Sequence, residues 1–120
     1  MAGEIYYLSS LDSKRFEGVH ECRIVGTLVF DTGKEALVAE IQPPVIGQDF
    51  SRPDIDSVIL AARQEGATLD PVNEFPCFVF ITISAKGYAL SSPIRADDLT
   101  VIAWGELYRT HHDAENHVFG

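Results

Sequence analysis

The chain of 120 residues is poor in cysteine, in basic residues and in the short motifs that mark common enzymes. Cys22 and Cys77 are its only cysteines, so a disulfide framework and the paired-cysteine spacing of a zinc site are both excluded. Nine Lys and Arg face eighteen Asp and Glu, a net charge of −9. Nucleic acid and anionic membranes bind mainly through Lys and Arg, so such a field repels both. The basic residues are also dispersed, with Lys14-Arg15 the one adjacent pair. No apolar run approaches the roughly 20 residues that span a bilayer, and "MAGEIYYLSS" lacks the basic-then-apolar order of a secretory signal. The expected compartment is a reducing cytoplasm with both thiols free. Phosphate-cradling glycine loops, a GxSxG nucleophile turn and an HExxH helix are all missing. These absences turn the expectation away from an enzyme.

What is present suits one folded domain over residues 1–120. A hydrophobic content of 46% is enough for a chain of this length to bury about two thirds of its unfolded surface. The clearest local signal is the hairpin "CRIVGTLVF-DTGK-EALVAEI", two β-prone arms around a turn where Gly33 can adopt the left-handed conformation. "QPPVIGQDFSRPD" follows, and its prolines predict an irregular surface connection. "DIDSVILAARQEG" divides between a helix capped by Asp54 or Ser57 and a buried strand, with strand favoured. "CFVFITIS" is the strongest strand signal, and "LTVIAWGELYR" predicts a last strand with a bend at Gly105.

Successive strand side chains point to opposite faces. Val79, Ile81 and Ile83 therefore oppose Phe78 and Phe80, while Leu99 and Val101 oppose Ile102 and Trp104. Both faces of this sheet are apolar, so the second face needs a cover: another sheet, a helix or another subunit. The predicted class is mainly β (or α+β), an antiparallel sheet curled or packed as a sandwich or barrel-like domain, with at most one or two short helices.

Three of the four histidines lie in the C-terminal "ELYRTHHDAENHVFG". In a strand, His111, Asp113, Glu115 and His117 would share one face. In a helix, His111 with Glu115 and Asp113 with His117 would be i,i+4 pairs. Either arrangement offers imidazole and carboxylate ligands to a divalent metal, although a solvated or lightly docked tail is the favoured expectation at a chain end. No cofactor is predicted. His20 and Cys22 share a face at the start of the first hairpin arm, but Glu17 and Glu21 make the setting acidic, against thiolate chemistry. Cys77 in "FPCFVF" is expected to be buried and inert. Asp49, Asp54 and Asp56 lack the spacing of an EF-hand, and Asp97-Asp98 reads as turn capping. Glu106 and Arg109 are expected at exposed, salt-linked positions.

The expected function is that of a small acidic binding protein with a protein partner, a basic one by charge, and a tendency to form a homo-oligomer. An immunity-like or antitoxin-like inhibitor is its concrete form. A second expectation is an enzyme or small-ligand binder whose pocket gathers Phe50, Arg52, Arg63, Tyr108 and the histidine-bearing end. A third is an accessory subunit whose apolar face is covered in a larger assembly.

Overall fold

Among the described residues, runs of β-branched and aromatic residues give six strands: β1 (Ile5–Ser10), β2 (Val19–Val29), β3 (Glu35–Val45), β4 (Ile55–Ala62), β5 (Cys77–Ser84) and β6 (Leu99–Tyr108). One helix follows, α1 (His111–Phe119). The computed structural model describes residues 3–10, 19–45, 55–62, 77–85 and 90–119. Every sequential pair of strands is antiparallel, and β6 pairs back onto β1, closing a barrel in the order β1-β2-β3-β4-β5-β6. This is a mainly β, barrel-like domain, with the ambiguous segment after the prolines forming strand β4.

A small barrel has no lumen to spare, so inward side chains fill it. Leu8, Ile24, Leu60, Val79, Ile81 and Leu107 meet there, fully buried. Cys22 and Cys77 belong to the same core and are free thiols. Loss of hydration pushes the Cys22 thiol up to about 12, which leaves it protonated and inert at neutral pH. His20, opposite Leu8 in the ladder, is also buried.

A second cluster lies on the outside. Val38 and Ile59 pair across β3 and β4 and alternate with the inward Leu37, Ala39, Val58 and Leu60. Their cover is the segment before β6, through Leu90, Ile94 and Leu99. Ile94 is almost fully buried, its N–H donates to the Val29 carbonyl at 2.8 Å, and its carbonyl accepts from Asp31 N–H at 2.8 Å. Ser92 adds a contact, with Oγ accepting from Val29 N–H at 2.9 Å. The expected second cover is thus supplied, for this part of the sheet, by the chain itself. Asp98 caps the short 3₁₀ turn that precedes β6, accepting from Arg95 N–H at 3.0 Å.

Three expectations need correction. Strand β3 runs through Pro43 and Pro44 to Val45 instead of ending in an irregular connection. Its pairing with β2 stops at Gln42, and its pairing with β4 lapses between Glu40 and Val45. The prolines occupy extended backbone with no Cα partner in either ladder, where a missing N–H costs nothing. Second, Val101 and Trp104 do not lie on opposite faces. A bulge sets Ile81 opposite Ala103 but Thr82 opposite Val101, so Ile102 is the extra residue and the parity reverses there. Ile102 packs against the core, while Val101 and Trp104 both face out. Third, the chain end is not a loosely held tail. Residues 111–119 form α1, which packs against β1, β2 and β6.

Gly105 marks the closure of the barrel. A Cβ there would lie 2.3 Å from the Ser9 carbonyl oxygen of β1. Only glycine lets the two backbones approach this closely.

Candidate functional site

Two surfaces of the barrel carry groups that the fold does not need for its core. The first is the outer side of the β1–β6 seam. Register sets Ser9 opposite Glu106 and Tyr7 opposite Tyr108. A half-solvated barrel wall would leave these four side chains in water, but Ser9, Glu106 and Tyr108 are all buried. Glu106 therefore departs from the exposed, salt-linked position expected of it. The Tyr108 phenol donates to Glu106 Oε2, which satisfies a carboxylate that would be expensive to bury alone. Tyr108 holds its proton well above the usual phenol range, first because burial removes water and then because of the hydrogen bond and charge of Glu106; Ser9 acts in the opposite direction and the Asp113 carboxylate adds to the rise.

Helix α1 stands over this seam. Thr110 is its N-cap, with Oγ1 accepting from Asp113 N–H at 3.1 Å, and Asp113 sits in the first turn, where the helix dipole favours a carboxylate. Ala114 is fully buried and anchors the helix. The His111 ring meets Tyr7 edge-on at 5.6 Å between centroids. His111 Nδ1 lies 3.2 Å from Glu115 Oε1, both side chains about half exposed, which realises the i,i+4 pairing offered by a helix.

Of the residues singled out by sequence, Tyr108 lies within the field of Asp113, while His111 pairs separately with Glu115 and meets Tyr7. Phe50, Arg52 and Arg63 lie outside the described residues, as does the side chain of His117. Among the described residues no three His, Cys, Asp or Glu side chains group closely enough to hold a metal ion. Chemically, the seam provides a shielded carboxylate joined to a phenol that remains a donor at every physiological pH. Glu106 is the member that sequence reasoning missed. Alternation places it outside with Trp104 and Tyr108, yet it is buried on the side of the barrel where α1 packs against β1 and β6.

The second surface is the outer face of β5 and β6. Phe80 pairs with Trp104, and Phe78 lies two residues further along the same face of β5. Val101 is next to them past the bulge. Phe78 is 50% exposed, Val101 55% and Trp104 38%, with Phe80 half-buried. Ile5, Val25 and Val29 are also exposed, but on β1 and β2 rather than beside this group. A third feature, a groove of about 230 Å³ on β2 and β3, is lined by Glu21, Arg23, Glu40 and Gln42. Arg23 and Glu40 already pair with each other across it.

No helix among the described residues is long and apolar enough to cross a membrane. No family model matches the chain, and neither a curated protein nor a solved structure matches it.

Proposed function

We propose that this chain is a protein-binding module whose contact surface is the outer face of β5 and β6. One observation carries this: Phe78 and Val101 stand exposed on either side of the Phe80–Trp104 pair along one outer face, with Trp104 exposed between them, in a barrel that covers its other two-sided sheet, β3–β4, with its own chain. Grouped aromatic exposure of this kind is the usual composition of an interface centre. An inhibitor of the immunity or antitoxin type and an accessory subunit would both use such a face. The cytoplasm is the compartment we propose for it, from the two free thiols.

Magnitude limits what the face can do alone. Two half-exposed aromatics and a valine offer on the order of 300 Å², against about 800 Å² per partner in a standard interface. The face suits an anchor at the centre of a larger contact. A photo-crosslinking residue placed at position 78 or 104 should give a discrete adduct in cells, while the same residue at Thr32, exposed in the β2–β3 turn, should not. Equal labelling at all three positions would refute the proposal.

A small-ligand site at the β1–β6 seam is a second proposal, supported by the buried Glu106–Tyr108 pair within the field of Asp113. Its test is a thermal-shift screen of small cationic and hydroxylated compounds, in which stabilisation should disappear in Glu106→Gln. Stabilisation retained in that variant would remove the seam from consideration.

A further inference from the structure

Resting on the outer face of β5 and β6 as a docking surface, we infer that its occupant is a cationic segment of another protein, in which apolar side chains alternate with Arg or Lys. Charge complementarity selects this occupant. The chain carries −9 overall, and residues 95–115, which include β6 and its flanks, hold four carboxylates outside the buried class (Asp97, Asp98, Asp113, Glu115) against two arginines (Arg95, Arg109), Glu106 being buried. Asp97 is 79% exposed in the turn leading into β6, and its contact with Arg95 is a long 3.8 Å, so it remains open to a partner's cation.

Apart from the buried Glu106 opposite Phe78, the face between these flanks is aromatic and apolar. Ring faces of Trp and Phe attract guanidinium and ammonium groups, most strongly where water is excluded. An alternating segment would set its apolar side chains on Phe78, Phe80 and Trp104 and its cations on the ring faces and Asp97. The carboxylate-rich flanks would raise the encounter rate. A second copy of this chain fits poorly. It would bring another −9 toward the first, and the face offers well under half the area a stable dimer buries. Anionic surfaces are repelled by the same charge.

Trp104 is the only tryptophan, so its fluorescence reports occupancy of the face directly. The experiment titrates the full chain with three short synthetic peptides, alternating Leu with Arg, Leu with Ser, or Leu with Glu, and follows Trp104 emission. The Leu-Arg peptide should shift the emission and bind about tenfold or more tighter than the Leu-Ser peptide at low salt, with the difference shrinking as salt rises. Phe78→Ser should weaken that binding by about tenfold with an unchanged circular dichroism spectrum. Equal, salt-independent response to Leu-Arg and Leu-Ser would overturn the cationic occupant while leaving the face as a docking surface. A concentration-dependent emission shift without peptide, matched by a dimer in sedimentation velocity, would identify a second copy as occupant and overturn the inference. Silence of Trp104 toward all three peptides would defeat both the inference and the docking surface itself.

Discussion

A thiol and a phenol that lose water on folding bind their protons more tightly than in the unfolded chain, and this couples stability to alkaline pH. Cys22 ionises at about 12 rather than at its ordinary 9.0, and Tyr108 is displaced in the same direction from 10.0. Both folded-state values are raised, so their contribution is fully present below the unfolded values. Above about pH 9 the unfolded chain releases the Cys22 proton while the folded chain keeps it, and stability falls with rising pH. Urea unfolding should therefore show a constant midpoint through neutral pH and a decline that begins near pH 9. In Cys22→Ala the decline between about pH 9 and pH 10 should be shallower than in the parent chain. A slope there unchanged by the substitution would mean that Cys22 is hydrated in the folded state. Glu106→Gln tests the neighbouring pair. It keeps an acceptor for the Tyr108 phenol but removes the carboxylate's charge, so phenolate absorbance should appear at lower pH than in the parent chain.

Strand β6 shows where an element can and cannot be read from its residues. The β2–β3 hairpin, β4 and β5 were legible because β-branched runs and the turn glycine act locally. The outward parity of β6 was not legible, because the bulge at Ile102 depends on how β6 registers against β5. The extension of β3 through Pro43 and Pro44 was hidden for a similar reason: a proline is tolerated only where both neighbouring ladders happen to lapse. Burial of Glu106 required knowing that "HHDAENHVF" forms a helix packed against the barrel, although the Thr110 cap and Asp113 were signals for it. Closure at Gly105 is equally non-local. Gly105→Ala places a methyl 2.3 Å from a backbone oxygen of β1, and neither strand can retreat without loosening the Ser10–Gly105 pairing. A loss of about 1–3 kcal/mol is expected, as for overpacking, measured by denaturant unfolding. Ile94 is the most deeply buried side chain of the strap before β6, so Ile94→Ala should lose about 2–5 kcal/mol, whereas an unchanged midpoint would show that the covering segment is not packed.

For the molecule as a whole, closure determines how it can associate. Among the described residues each of the six strands is paired on both sides, apart from the proline-bearing end of β3, so the sheet offers no full-length edge to an added strand. Contact must run through side chains on a barrel face, and among the described residues the β5–β6 face combines two exposed aromatics on paired strands. If that face serves binding rather than folding, stability and association should separate under mutation. Phe78→Ser and Val101→Ser remove side chains that are half or more in water, so each should shift unfolding by about 1 kcal/mol. Ile81→Ala, one residue along from Phe80 but fully inside the barrel, should lose about 2–5 kcal/mol. Unfolding curves for the three variants in one buffer decide the matter. Losses at 78 and 101 as large as at 81 would make this apolar face part of the folding core and remove the reason to seek a partner there; small losses at 78 and 101 beside a large one at 81 mean that the fold carries this apolar surface without needing it for stability, which is the condition an interface has to meet.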